Sequence, residues 1–258
     1  MDKGSLVIVD FSSRVKDTGE VIETTIKEDA KKFGVFDESK KYEPKLVAIG
    51  DGWVLKGLDE ALISAKLDKK VVLDIPPEKA FGVRDPEKVR RIPLRKLGEK
   101  AGEIRVGDEI EIDHRIGLIR FIGSGRAQID FNQKYAGKVL TYEFKALKEI
   151  KLSNERAMAL FRRRLSIEEN KISIKLKDEE ITIGIPQEAY MVDGLQIIKK
   201  AASMDIFKYV SEVTKVTYIE TYESSKPKTK IKTQKLKTKK AQPQPKLVKR
   251  KKGNHKSS

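Results

Sequence analysis

The segment from residue 46 to residue 82 constrains the fold most, because a strand pattern, a helix pattern and a second strand pattern follow each other within it. The first strand alternates apolar residues and ends at glycines, in the order Leu46, Ala48, Gly50 and Gly52. Helical spacing then joins Leu55, Leu58, Leu62 and Ala65, with Ala61 beside them. Alternation returns at Val71, Leu73 and Ile75, and Pro76 and Pro77 end this strand. These patterns predict an α+β fold with one short helix packed on an antiparallel sheet.

The same segment carries two motifs, GDGWVLKGLDEAL at residues 50–62 and PPEKAFG at residues 76–82. Together they resemble the central signature of FKBP-type peptidyl-prolyl isomerases. Residues 9–25, VDFSSRVKDTGEVIETT, resemble the first hairpin of that family. Residues 130–150, DFNQKYAGKVLTYEFKALKEI, resemble the D-x-N-x-x-x-A-G-K segment and closing strand of its SlyD-like and archaeal members. The resemblance covers roughly residues 4–150 and implies an FKBP-like antiparallel sheet wrapped on a short helix.

The resemblance also implies an apolar bowl that holds an X–Pro bond, with no metal and no cofactor. Carried over position by position, its members are Phe11, Ile22, Glu23, Val54, Leu55, Leu58, Phe81 and Tyr142. Val54 would offer a backbone amide to the substrate carbonyl, while the apolar side chains form the floor and walls. From periodicity alone these apolar residues read as ordinary core, and only the order of the motifs favours the bowl.

Several bowl positions depart from the pattern of the family. Phe11 and Phe81 stand where a tyrosine is common, and Glu23 takes the place of an aspartate. Leu58 replaces the tryptophan of the human-type proteins, although SlyD-like members have leucine there. Because Phe81 lacks a hydroxyl group to bind the substrate, we expect a modest intrinsic rate and weak binding of macrolide inhibitors.

Other kinds of chemistry find little support in the residues. The chain has no cysteine and two histidines, His114 in a predicted strand and His255 near the C-terminus. This set is too small for a thiol or histidine-based nucleophile, and it lacks the clustered ligands of a structural zinc site. Residues 123–126 lack the rest of a dinucleotide fingerprint and predict a turn instead. Glu109 and Glu111 alternate with apolar residues and predict a solvated strand face.

Residues 85–136 form a predicted insertion within the isomerase domain, which comprises residues 1–84 and 137–150. Alternating apolar residues and the Gly123–Gly125 turn predict three or four antiparallel strands, with a short helix near Leu94–Leu97. The position of this insertion resembles the insert-in-flap domain of SlyD-like isomerases, which implies chaperone binding of unfolded chains. Its predicted client-binding surface comprises Ile110, Ile112, Leu118 and Phe121.

Residues 151–222 predict a third unit, a small α+β domain without a convincing catalytic constellation. A helix beginning at Ser153 or Asn154 is followed by a hairpin that turns at Asp178 and Glu179. Residues 188–210 then predict a second helix, and residues 211–223 a final strand. Long archaeal members of the family carry an extra C-terminal domain at this place. Dimerisation or partner binding is the role that we predict for it.

The remaining residues, 223–258, form a predicted disordered tail that carries almost all of the net charge of +16. Residues 224–258 contain fourteen Lys and Arg and no acidic residue, which leaves the first 223 residues with a balance of +2. Such an arm attracts polyanions, and the predicted binding residues are Lys239, Lys240, Lys249, Arg250, Lys251 and Lys252. RNA, DNA or the ribosome is the expected partner. A solubilising tail without a dedicated partner remains the alternative.

Two hypotheses about function follow from these features. The first is a peptidyl-prolyl isomerase and folding chaperone whose partners are unfolded or nascent polypeptides with X–Pro bonds. The second is a non-catalytic chaperone or nucleic-acid-associated adaptor that acts through the tail. The absence of cysteine, of a signal-peptide core and of any apolar run long enough for a membrane span favours a cytoplasmic location and no membrane partner.

Overall fold

The computed structural model describes residues 1–223, apart from the side chains of residues 99–101. The strands are β1 (Leu6–Val15), β2 (Val21–Thr24), β3 (Lys45–Ala48), β4 (Lys70–Ile75), β5 (Val89–Pro93), β6 (Glu109–Ile112), β7 (Arg115–Gly123), β8 (Arg126–Asp130), β9 (Leu140–Ile150), β10 (Ser173–Lys177), β11 (Glu180–Ile185) and β12 (Lys215–Glu220). The α-helices are α1 (Lys27–Lys32), α2 (Lys56–Ser64), α3 (Ser153–Arg164) and α4 (Leu195–Tyr209). Within residues 1–223, none of these helices combines the length and the apolar character needed to cross a bilayer.

A five-stranded antiparallel sheet carries the predicted isomerase domain. Its strands lie in the order β2-β1-β9-β4, and β3 pairs with β1 beside β2. Helix α2 covers one face of this sheet, and Leu58 and Leu62 are buried there against Val9, Phe11 and Phe144. The prediction of a short helix packed on an antiparallel sheet is therefore confirmed.

The first half of β1 is buried on both faces. Val7 and Val9 face α2, whereas Leu6 and Ile8 belong to the core on the opposite side of the sheet. On that side the sheet packs against α3 through residues such as Phe161. A strand covered on both faces needs apolar residues in sequence rather than in alternation. The uninterrupted run from Leu6 to Val9 is the local consequence.

The insertion forms its own four-stranded antiparallel sheet, in the order β5-β8-β7-β6. Strands β7 and β8 meet at Ser124 and Gly125, which both have positive φ angles, as the predicted hairpin requires. The predicted short helix is a 3₁₀ helix, Leu94–Gly102, interrupted at Gly98. His114 does not lie in a strand as predicted. It occupies the β6–β7 turn at a φ of 60° and is 99% exposed, because Asp113 and His114 together reverse the chain.

The C-terminal segment forms a three-stranded sheet, β10-β11-β12, with helices α3 and α4. The hairpin β10–β11 turns at Asp178 as predicted, whereas β12 joins β11 in parallel. Helix α3 begins at Ser153, as predicted, and in the described part of the chain no side chain caps it; the Ser153 hydroxyl donates a hydrogen bond to Glu212. Helix α4 begins later than predicted, because Gly194 takes a left-handed φ of 72° at its start. The division of the chain into domains stays a prediction.

Candidate active site

Seven of the eight predicted bowl residues share one packed cluster. Phe11, Leu58 and Tyr142 are buried in it, and the partly buried members Ile22, Val54, Leu55 and Phe81 pack against them. The rings of Phe11 on β1 and Tyr142 on β9 lie 5.8 Å apart, centroid to centroid. The strands and α2 thus bring together residues that lie up to 131 positions apart in the chain. The eighth residue, Glu23, lies elsewhere.

Close packing of α2 on the sheet fixes the floor of the bowl. Gly57 lies in the first turn of α2, where an added Cβ atom would come within 2.4 Å of the Cγ2 atom of Ile75. Glycine at this position lets the helix approach β4 more closely than any other residue would. Leu58, which follows it, is fully buried as a result.

Two backbone amides at the start of α2 are free to bind a ligand. Leu55 is the N-cap residue, and no side chain caps the helix there. Neither the N–H of Val54 nor that of Leu55 donates a hydrogen bond to another residue in the described part of the chain. The preceding loop is held in place because the Gly50 N–H donates to the Asp59 carboxylate at 2.9 Å. An incoming carbonyl oxygen therefore meets donors that are already oriented.

Glu23 lies at the rim of the bowl and does not line it. Its carboxylate pairs with Lys45, and its backbone carbonyl accepts a hydrogen bond from the Ser13 hydroxyl. The Lys45 ammonium in turn lies 5.8 Å from the centre of the Phe11 ring. Burial raises the pKa of Tyr142, and the negative charge of Glu23 acts in the same direction. Tyr142 therefore keeps its proton and stays a neutral hydrogen-bond donor.

Tyr135 is a wall residue that the sequence reasoning missed. Its ring packs on Phe81 with 5.4 Å between the centroids, and its hydroxyl donates to Glu20 at 3.1 Å. The loop that contains Tyr135 is bound to the residue after Phe81, because the Gly137 N–H donates a hydrogen bond to the Gly82 carbonyl at 2.8 Å. Gly137 has a φ of +77°, and a Cβ atom there would lie 2.9 Å from Arg84. The A-G-K motif that contains Gly137 was the available signal for Tyr135.

The D-x-N motif fastens the two chain segments that connect the insertion to the first sheet. Asp130 is buried and accepts hydrogen bonds from Arg84 at 2.8 Å and from the Asn132 side chain at 2.8 Å. Asn132 also bonds both the N–H and the carbonyl of Asp85. Burial alone would raise the pKa of Asp130, but these hydrogen bonds outweigh it and hold the pKa at about 2. Asp130 is therefore ionised over the whole physiological range.

The predicted client-binding surface of the insertion needs correction. Ile110 is only 6% exposed and Ile112 packs against the same core, because their strand turns its apolar side inward. Leu118 is half-buried, whereas Phe121 is 60% exposed as a surface residue should be. Among the described side chains of this insertion, two further large apolar ones are exposed, Val106 and Ile116.

Two other kinds of site were considered from the sequence, a metal site and a polyanion-binding site. The described residues contain no group of histidine and carboxylate side chains that could hold a metal ion. The predicted polyanion-binding residues lie outside the described residues; they are Lys239, Lys240, Lys249, Arg250, Lys251 and Lys252.

Comparisons with known protein families match two parts of the chain. Residues 1–96 match the family described as FKBP-type peptidyl-prolyl cis-trans isomerase. Residues 153–223 match a family described as FKBP26_C-terminal. The second match covers the segment from α3 to β12, which follows the predicted isomerase domain in the chain.

Individual peptidyl-prolyl isomerases are also similar to this chain. A short-type peptidyl-prolyl cis-trans isomerase of Methanocaldococcus jannaschii is 32% identical over 143 residues, which are 55% of this chain and 90% of that protein. A probable FKBP-type 16 kDa peptidyl-prolyl cis-trans isomerase of Pseudomonas fluorescens is 31% identical over 39% of this chain and 69% of its own length. The isomerase SlyD of Helicobacter pylori is 27% identical over 48% of this chain and 69% of its own length. The chain belongs to the FKBP-type peptidyl-prolyl cis-trans isomerase family.

Proposed function

We propose that this protein accelerates the cis–trans isomerisation of X–Pro bonds in unfolded chains, and that the reaction takes place in the bowl. The observation that carries the proposal is the shared cluster of Phe11, Leu55, Phe81 and Tyr142 beside two free amides. The family membership agrees with this activity.

The chemistry needs no nucleophile, metal or cofactor. Rotation about the X–Pro amide faces a barrier of about 18–20 kcal/mol, because resonance gives the C–N bond partial double-bond character. The twisted transition state loses that resonance and its charge separation. An apolar bowl therefore holds the twisted form better than either planar form, and binding of this kind lowers the barrier. The amide of Val54 or Leu55 would fix the carbonyl group while the prolyl ring rotates.

A tetrapeptide assay tests the proposal directly. We expect the wild-type protein to accelerate isomerisation of a neutral X–Pro tetrapeptide, and the variant Leu55→Ala to lose most of that acceleration. Val72→Ala is a matched control, because Val72 is an apolar residue of β4 that is 58% exposed and lies outside the bowl cluster. Equal activity of the two variants would contradict the location of the site.

We further propose that the insertion supplies affinity for unfolded chains. The specific observation is its exposed apolar trio, Val106, Ile116 and Phe121, each at least 60% exposed. Replacing residues 85–136 with a short turn should lower activity on a refolding protein more than on a tetrapeptide. Equal losses on both substrates would count against this role.

The adaptor hypothesis requires the basic tail and not the bowl. Deleting residues 224–258 should remove polyanion binding and leave isomerase activity in place if the bowl is catalytic. A protein that binds polyanions but never accelerates isomerisation would instead be an adaptor.

A cytoplasmic location forms part of the same proposal, since the absence of cysteine suits a reducing compartment.

A further inference from the structure

An open cleft of about 1160 Å³ lies between the isomerase sheet and helix α3. Its lining includes Ile8 and Leu46 from the face of the sheet opposite α2, together with Trp53 from the loop before that helix. Met158 and Arg162 of α3 form the other wall. Because α3 belongs to the C-terminal segment, the cleft exists only where that segment packs on the isomerase sheet.

The cleft and the bowl are neighbours. Val54 lines the cleft and also packs into the bowl cluster, where it supplies one of the two free amides. Lys45 lines the cleft too, while its ammonium group pairs with Glu23 at the rim of the bowl. A polypeptide whose proline occupies the bowl can therefore continue over Val54 or Lys45 into the cleft.

Main-chain groups are available along the cleft. Strand β3 pairs with β1 on one side and with no described strand on the other. Its residues Lys45, Leu46 and Val47 line the cleft. An unpaired strand edge offers N–H and C=O groups to an extended peptide, which is a common mode of peptide recognition.

The charges of the cleft select the kind of peptide. Six basic residues and three acidic residues line it, which leaves an excess of positive charge. Five of the basic residues form ion pairs with carboxylates of the chain; they are Lys41, Lys45, Lys148, Arg162 and Arg164. The sixth, Arg163, has no carboxylate of a described residue within ion-pair distance.

Arg163 is held in a defined position although no carboxylate of the described residues lies within ion-pair distance of it. Its guanidinium carbon lies 3.7 Å from the centre of the Trp53 ring, and Tyr209 packs edge-on against the same indole. Stacking leaves the N–H groups at the rim of the guanidinium free, and these match the geometry of a carboxylate. Burial lowers the pKa of Arg163, yet arginine stays cationic at neutral pH.

We propose that this cleft is a second substrate subsite that binds an extended, acidic segment of the client chain, with Arg163 receiving a Glu or Asp side chain. The inference rests on the proposed isomerase function and adds a substrate class to it: X–Pro bonds with an acidic residue within reach along the chain. Trp53 positions Arg163 for this contact, and the edge of β3 binds the peptide backbone.

A peptide scan tests the subsite on the full chain. One Glu replaces one Gln at successive positions on either side of a single X–Pro bond, and both isomerisation and fluorescence anisotropy are measured. We expect at least one position at which Glu raises kcat/KM and affinity by about fivefold over Gln, the scale of a well-placed ion pair. Arg163→Gln should abolish that preference for Glu, and Arg163→Glu should reverse it, so that the Gln peptide is bound and isomerised better than the Glu peptide. Lys175→Gln, an exposed residue of β10 outside the cleft, is the charge-matched control and should leave the ratio unchanged.

Each other outcome has a distinct meaning. If the wild type isomerises neutral and acidic peptides equally well at every position, the subsite is refuted and the proposed function stands. If no peptide is isomerised while acidic peptides still bind through Arg163, the proposed function fails and the subsite survives as a binding site. If a single-stranded oligonucleotide binds through Arg163 and the acidic peptides do not, the cleft is a nucleic-acid site and the inference is overturned. The tail is present in every variant, so its own attraction for anions cancels in these comparisons.

Discussion

Phe81 closes one side of the bowl with a ring that has no hydroxyl group. We predict that Phe81→Tyr raises kcat/KM on a tetrapeptide, because the new hydroxyl adds a hydrogen bond to the bound chain worth about 0.5–1.5 kcal/mol. The neighbouring Tyr135 hydroxyl points to Glu20, so it does not already supply that bond. A severalfold fall in activity would contradict the position that we assign to Phe81.

Gly57 shows how one residue sets the distance between helix and sheet. Alanine is the better helix former by about 1 kcal/mol, so propensity alone predicts that Gly57→Ala stabilises α2. The Cβ atom would, however, lie 2.4 Å from Ile75, and overpacking of this kind costs about 1–3 kcal/mol. We therefore expect a lower midpoint of thermal unfolding and weaker isomerase activity. An unchanged or higher midpoint of thermal unfolding would mean that α2 moves away from Ile75 without a loss of stability.

For the individual helices and strands, the spacing of apolar residues and the residue types at the turns made most of the fold predictable. Alternation found β4 and the β10–β11 hairpin, and helical spacing found α2. Predictions failed where distant contacts decide: Ile110 was assigned to a surface, yet its strand faces the core of the insertion. The start of α3 was predicted correctly at Ser153, but the bond of the Ser153 hydroxyl to Glu212, which is 59 residues away, was not predictable from local sequence.

The bowl was predictable only through its motifs, and the cleft was not predictable at all. Phe11 and Tyr142 look like any buried aromatic pair until the order of the motifs brings them together. The cleft joins β3 to α3, elements separated by more than 100 residues, and no local pattern encodes their packing. Arg163 reads in the sequence as one member of a charged triplet, and its stacking on Trp53 appears only in the fold.

The junction of the insertion is an element whose stability should depend on pH. The pKa of Asp130 is about 2 in the folded chain, below its value of about 3.9 in an unfolded chain. Because the pKa of Asp130 is lower in the folded chain, its carboxylate stabilises the fold at any pH above the unfolded-chain pKa. That stabilisation is lost as the pH falls to the folded-chain pKa. We expect roughly 2 kcal/mol to be lost between about pH 4 and about pH 2.

Asp130→Asn isolates this contribution. The variant should be less stable than the wild type at neutral pH, and its stability should change less over the acidic range. Denaturant unfolding at a series of pH values measures both quantities. A variant whose acid dependence matches that of the wild type would show that other carboxylates account for it.

Helix α4 presents an apolar side that is exposed in the described part of the chain. Ile197, Met204 and Phe207 are 75%, 63% and 44% exposed, at positions that follow each other along the helix. We propose that this side forms a homodimer contact, in line with the partner role predicted for residues 151–222. Light scattering should give twice the chain mass for the wild type and the monomer mass for Ile197→Glu/Met204→Glu. A wild-type monomer at all concentrations would contradict the proposal.

Charge is distributed unevenly over the molecule, and this makes a separate prediction about the tail. Residues 224–258 carry a charge of +14, so nucleic-acid binding through them should weaken steeply with salt. We expect the affinity of the full chain for single-stranded RNA to fall by about 100-fold or more between low and physiological salt. The chain without residues 224–258 should bind weakly at either salt concentration. Strong, salt-independent binding by the truncated chain would place the nucleic-acid site in residues 1–223.

A proline-limited refolding assay shows whether the bowl is an isomerase site. Wild type, Leu55→Ala/Phe81→Ala and the control Val72→Ala are added to a protein whose refolding waits for an X–Pro bond, and circular dichroism verifies that each variant is folded. We predict that wild type and the control accelerate the slow phase, while the double variant does not. Acceleration by the double variant equal to that of the wild type would contradict the bowl as the site, and no acceleration by the wild type would contradict the isomerase activity itself.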